Sequence, residues 1–193
     1  MIEQITPSRI LYFEFFSNIF LYELLLKNQD TLQNQLTLLS QEPLVDKEYY
    51  QKSLKEIEEN FPKILQEYTL LFSTPFSRQK LSLYLSHFTE NCISGESLVK
   101  VRERLKERKL LLDREFCKEN EDHLGVICLF MIHLLKDGDL NEAKEISSSF
   151  FLPIAEGLIE QAKKMNEEKF YFNVIKILEG FVSVEKIITS AST

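Results

Sequence analysis

Glu121-Asp122-His123-Leu124-Gly125-Val126-Ile127-Cys128-Leu129-Phe130-Met131-Ile132-His133-Leu134-Leu135 is the stretch that decides the fold class. Two acids and a histidine open a segment that is otherwise almost wholly apolar. Leu124, Ile127, Cys128, Met131 and Leu135 stand at helical spacings, so a helix is predicted over 120–135. Asn120 is placed to cap it, and acids in a first turn suit the positive end of the helix dipole. Gly138 suits the position just past its C-terminus, and Asp139-Leu140-Asn141-Glu142 has the pattern of a capping box for the next helix.

The same periodicity extends in both directions. Thr6-Pro7 has the form of an N-cap followed by proline at the first helical position, opening a helix to about Lys27. Leu32, Leu36 and Leu39 continue until Glu42-Pro43, and a charged helix follows from Asp46 to about Glu59. Phe61, Ile64, Leu65, Tyr68, Leu71 and Phe72 form another stripe, which Ser73-Thr74-Pro75 breaks. Phe76 to Phe88 reads as a loop passing into a helix, and Asn91 to Gly95 as a second loop. Leu98, Val101, Leu105 and Leu112 mark a further amphipathic helix, Pro153 opens another, and Phe170 to about Ile188 forms the last. The expectation is an all-α, single-domain bundle of about nine or ten helices over 1–193, with any hinge inside 73–95.

Composition narrows the function. Five glycines and five prolines are too few for a turn-rich β architecture. Thirty acidic against twenty-three basic residues give a net charge of −7, which argues against a nucleic-acid binder and suits attraction of basic segments. Cys92, Cys117 and Cys128 form no CxxC pair, so a reducing compartment, the cytoplasm, is the expectation. The first residues lack a basic secretory leader. Ile10 to Leu26 carries Glu14, Asn18 and Glu23, too much charge and too little length for membrane insertion. His123, Cys128 and His133 are stepped by five residues, about 140° apart around a helix, so no metal is expected. No GxSxG, P-loop or HExxH occurs, and neither enzyme activity nor a cofactor is expected. The stretch 100–114 holds seven basic and three acidic residues and is read as a solvated face with i, i+4 pairs.

Several short elements fall in a recognisable order: Glu67-Tyr68-Thr69-Leu70-Leu71-Phe72, Ser82-Leu83-Tyr84, Gly95-Glu96-Ser97, Glu121-Asp122-His123, Phe151-Leu152-Pro153 and Phe170-Tyr171. In that order and at those separations, from about Arg9 to Phe181, the chain resembles the TorD/DmsD family of cytoplasmic chaperones for molybdenum enzymes. The resemblance implies an all-helical fold and a binding function without bond chemistry. The partner would be the precursor of a molybdopterin-dependent oxidoreductase, through its basic twin-arginine leader peptide, held until cofactor insertion is complete. It implies peptide-binding roles for Phe76, Tyr84, Gly95, Glu121, Asp122 and His123, and a monomer or a homodimer. The chain departs from many relatives in having Arg78-Gln79-Lys80 where they carry prolines and tryptophans, and in having no tryptophan at all. A pocket here would be lined by Phe and Tyr.

Two readings of Glu121 to His123 stand side by side: a helix start only, or a ligand corner with two acceptors and a titratable ring. Under the second, Asp122→Asn and His123→Ala should fold with near-normal stability yet bind client poorly. Alternatives to leader binding are a grip on the body of a non-exported molybdoenzyme, as in nitrate-reductase chaperones, or a helical ligand-sensing regulatory domain.

Overall fold

The computed structural model describes residues 2–73, 81–164 and 169–191. Among them the chain forms ten α-helical segments and no strand. These are α1 (Ile2–Phe20), α2 (Tyr22–Leu25), α3 (Gln29–Leu39), α4 (Lys47–Tyr68), α5 (Leu85–Glu90), α6 (Glu96–Glu107), α7 (Leu124–Lys136), α8 (Leu140–Ile146), α9 (Leu152–Ala162) and α10 (Phe170–Ser190). The all-α bundle expected from the periodicity is the fold found. Of the 73–95 stretch read as a hinge, Ser73 and residues 81–95 are described; Phe76 lies outside the described residues.

The centre of the bundle is α1 packed along α7, with α10, α3 and α4 around them. All five stripe residues of α7 are buried, and so are Val126, Phe130, Ile132 and Leu134, because the helix is enclosed on nearly every side. Gly125 lets α7 approach the junction after α1: a Cβ there would come within 2.5 Å of Leu21 Cγ. Gly138, at φ +77°, ends α7. Its N–H donates to Leu135 O and that of Asp139 to Leu134 O, the paired bonds of a Schellman turn.

Four expectations about helix limits are corrected. First, α1 extends back through Thr6-Pro7 to Ile2, where proline's fixed φ suits a helix and its missing N–H forfeits a single bond. Second, the long N-terminal helix stops at Phe20, because Leu21 is extended at φ −94° and ψ 115°. The carbonyls released there are taken by two distant tyrosines: Tyr171 Oη donates to Ile19 O at 3.0 Å, and Tyr68 Oη to Phe20 O at 2.8 Å. Third, the helix from Asp46 does not end near Glu59: α4 runs on to Tyr68 through a kink at Asn60, so the stripe from Phe61 to Tyr68 belongs to it. Pro153 stands in the first turn of α9, as its position in the sequence predicts. A π-helical turn over Ser147–Phe151 joins α8 to α9. Fourth, the capping box at Asp139 to Glu142 does not form; both carboxylates pair with Arg108 instead. Leu112, expected on α6, lies past that helix and packs with Leu21, Cys117 and Val126.

Glu67 closes the bundle. Its carboxylate accepts the N–H of Phe170 at 3.2 Å and of Tyr171 at 2.9 Å, so it caps α10 from the end of α4. Burial nonetheless pushes its acidity below the ordinary, raising its pKa. Deep between α1, α10 and the π-turn, Arg9 and Glu185 form a two-pronged pair at 2.7 and 3.0 Å, both essentially inaccessible. Ser147 adds a third bond to Glu185 at 2.7 Å.

Candidate functional site

The helix expected from Asn120 begins at Leu124, and the cause is the residue before α5. Tyr84 and His123 form an isolated antiparallel bridge: Leu85 N donates to Asp122 O at 3.0 Å, and Leu124 N to Leu83 O at 2.7 Å. Residues 121–123 are thereby held out of the helix, and the cap is His123 itself. The Gly125 N–H donates to His123 Nδ1 at 3.1 Å, which leaves the proton of the neutral ring on Nε2. Burial lowers the His123 pKa to about 4, against a smaller opposing pull from Asp122, so the ring is neutral near pH 7.

The three residues of the corner therefore do different things. Asp122 is fully buried and turned inward. One carboxylate oxygen accepts the Ser86 N–H at 3.1 Å and the Ser86 hydroxyl, so Asp122 caps α5 across a separation of 36 residues. Its other oxygen has no partner among the described residues. Glu121 is held by two arginines, Arg102 Nε at 2.8 Å and Arg114. Burial works to raise its pKa, but those hydrogen bonds together lower it. His123 lines a cavity.

That cavity, of about 580 Å³, lies between the end of α4, the extended segment 81–84, α5, α9 and the run leading into α7. Phe72, Leu81, Leu83 and Ile93 give it apolar walls, and Tyr68, Tyr84 and His123 present rings. Tyr84 and His123 meet edge to face, 5.2 Å between centroids. Glu119 brings a carboxylate to the wall and accepts the Tyr84 hydroxyl. Burial first, and that acid second, raise the Tyr84 pKa well above its ordinary value, so the phenol stays protonated. On the α9 side Gln161 Oε1 accepts the Ser82 N–H at 2.9 Å and its amide nitrogen lies 3.0 Å from His87 Nε2. No lysine or arginine is among the described lining residues.

Of the residues implied by resemblance, Tyr84 and His123 come together on this wall. Gly95 does not join them: it is the residue before α6, and a Cβ there would lie 1.8 Å from the Glu90 carboxylate, which caps Ser97 N at 2.8 Å. Glu119, Tyr68, Phe72, His87 and Gln161 were assigned no site role from the sequence. Tyr68 and Phe72 lie inside one of the elements that carry the resemblance, and Glu119 stands four residues before His123; those placements are the available signal. The basic stretch 100–114 makes local pairs in part, Lys100 with Glu96 at i, i+4 and Arg104 with Glu107 at i, i+3. Its arginines also cross to other elements, Arg102 and Arg114 to Glu121, Arg104 to Glu145, Arg108 to Asp139 and Glu142. Among the described residues no helix is long and apolar enough to cross a membrane, and no three His, Cys, Asp or Glu side chains group to hold a metal.

Among solved structures, a candidate redox enzyme maturation protein from Archaeoglobus fulgidus has a similar fold. It superposes with a TM-score of 0.58 over 90% of this chain and 93% of its own, at 20% identity. No curated protein matches the chain. The family described as the nitrate reductase delta subunit matches residues 31–168, well over half of the sequence. By that match the chain belongs to the nitrate reductase delta subunit family, a family of redox enzyme maturation chaperones that takes in the TorD/DmsD type.

Proposed function

We propose that this protein is a cytoplasmic chaperone that binds the precursor of a molybdopterin-dependent oxidoreductase through its basic, partly apolar leader. The observation that carries this reading is the make-up of the cavity: apolar walls, with Glu119 on the wall and no cation among the described lining residues. An arginine of the leader would donate to Glu119 while neighbouring apolar side chains fill the space beside Phe72, Leu81 and Leu83. The neutral His123 Nε2–H adds a donor for a backbone carbonyl. Function is binding and timed release, with no bond made or broken. Client retention is then a matter of dissociation rate.

The test is titration of the protein with a leader peptide and with its copy in which both arginines are alanine. Loss of charge-assisted bonds should weaken binding by about 1–3 kcal/mol. Equal affinities at low and moderate salt would show that the arginines are not read.

A second reading is a grip on the client's body, which the resemblance to nitrate-reductase chaperones implies and the match to the nitrate reductase delta subunit family supports. A precursor truncated to remove its leader separates them. Undiminished binding of the truncated client supports the body grip, and its loss supports the leader.

A further inference from the structure

A second cleft, of about 800 Å³, lies against α5 and shares no lining residue with the Tyr84 cavity. The two are back to back on one short element: Tyr84 and His87 face the first, Leu85, Thr89 and Glu90 the second. The second cleft runs between α6 on one side and α8 with its π-turn on the other. Its floor is apolar, made by Leu85, Ile146 and Phe150. The π-turn brings Phe150 and Ser149 to this face.

Its charge is the reverse of what the local sequence suggests. The stretch 100–114 is basic, yet its arginines are turned onto acids of neighbouring elements, as described above. Five carboxylates and two cations line the cleft. Both cations are already engaged, Lys100 with Glu96 at 2.9 Å and Arg104 with Glu145 at 2.5 Å and Glu107 at 3.5 Å. Five carboxylates against two cations leave a negative surplus, and α6 presents it through Glu103 and Glu107, both exposed, with Glu107 sharing Arg104 with Glu145.

We propose that this cleft docks a basic amphipathic segment of the client, a second anchor beside the leader; the assignment of that segment to the client rests on the function proposed above. An apolar floor rimmed by acids suits a segment with apolar residues on one side and lysine or arginine on the other. Two weak anchors on one chain raise the retention of a client without a new contact at either.

The probe is a synthetic Leu/Lys amphipathic peptide of about five helical turns, with its Leu/Glu counterpart as control. Anisotropy of labelled peptides reads affinity for the full chain, and circular dichroism checks the fold of the variants. The Leu/Lys peptide should bind in a salt-sensitive way and the Leu/Glu peptide should not. The double variant Glu103→Lys/Glu107→Lys should weaken Leu/Lys binding at least tenfold, about 1.4 kcal/mol, and leave leader affinity unchanged. Leader peptide should not displace the Leu/Lys peptide. Equal binding to the double variant, or full displacement by the leader, overturns the second site. If the arginine leader fails to bind while the Leu/Lys pattern holds, the cavity reading falls and the cleft remains a site for basic segments.

Discussion

Asp122 reaches across to Ser86 and takes both its N–H, at 3.1 Å, and its hydroxyl on a single carboxylate oxygen. Sequence neighbours made Asp122 a partner for ligand cations, whereas the fold uses it to start α5, the helix between the two clefts. The expectation that Asp122 variants keep near-normal stability is revised accordingly. Asp122→Ala should lose about 1–3 kcal/mol, because it strands buried donors on Ser86. Asp122→Asn, which retains one acceptor, should lose less. Urea unfolding of the three proteins checks the order.

His123 makes stability depend on pH. In the unfolded chain a histidine takes up its proton near pH 6.5, whereas burial holds this one to about 4. Between these values the unfolded state binds more protons. The contribution is therefore complete above about pH 6.5 and is lost as pH falls toward 4. His123→Asn keeps a capping oxygen but does not titrate. From pH 6.5 to 4 the parent should lose about 3 kcal/mol more than the variant, as read from unfolding curves across pH.

Arg9 and Glu185 should be far costlier to separate than to replace together. Arg9→Met leaves a buried carboxylate with only Ser147 beside it and should destabilise by about 3–5 kcal/mol. Arg9→Met combined with Glu185→Leu should recover most of that loss. Thermal or denaturant unfolding of both variants decides it, and equal losses would show that the pair is not the source.

Gly125 and Leu21 should behave as a coupled pair. Gly125→Ala drives a Cβ to within 2.5 Å of the Leu21 side chain, an overpacking worth about 1–3 kcal/mol. In a Leu21→Ala background the clash has no partner, so the same substitution should cost little. A double-mutant cycle of unfolding free energies measures the difference.

The periodic elements were legible because local spacing decides them. The stripe of α7, the glycine turn at Gly138 and the helix start at Asp46 follow from neighbours within a turn or two. The break at Leu21 was not legible, since apolar residues continue through it and the tyrosines that satisfy it come from positions 68 and 171. The same holds for Arg9 with Glu185, joined across 176 positions. For the candidate site, Tyr84 and His123 could be picked out by resemblance and do meet. Glu119 could not be ranked above its neighbours, because only the fold brings it to Tyr84 and turns Asp122 away.

Glu119 carries the central claim, and a thermodynamic cycle between it and the arginines of a leader peptide tests it most directly. The Gln side chain of Glu119→Gln can still accept the Tyr84 hydroxyl, so the wall of the cavity is retained while its charge is removed. With the parent protein, replacing the peptide's arginines by alanine should weaken binding by about 1–3 kcal/mol. With Glu119→Gln the same replacement should cost almost nothing, and the salt dependence of leader binding should flatten. An undiminished arginine effect in the Glu119→Gln protein would contradict the account.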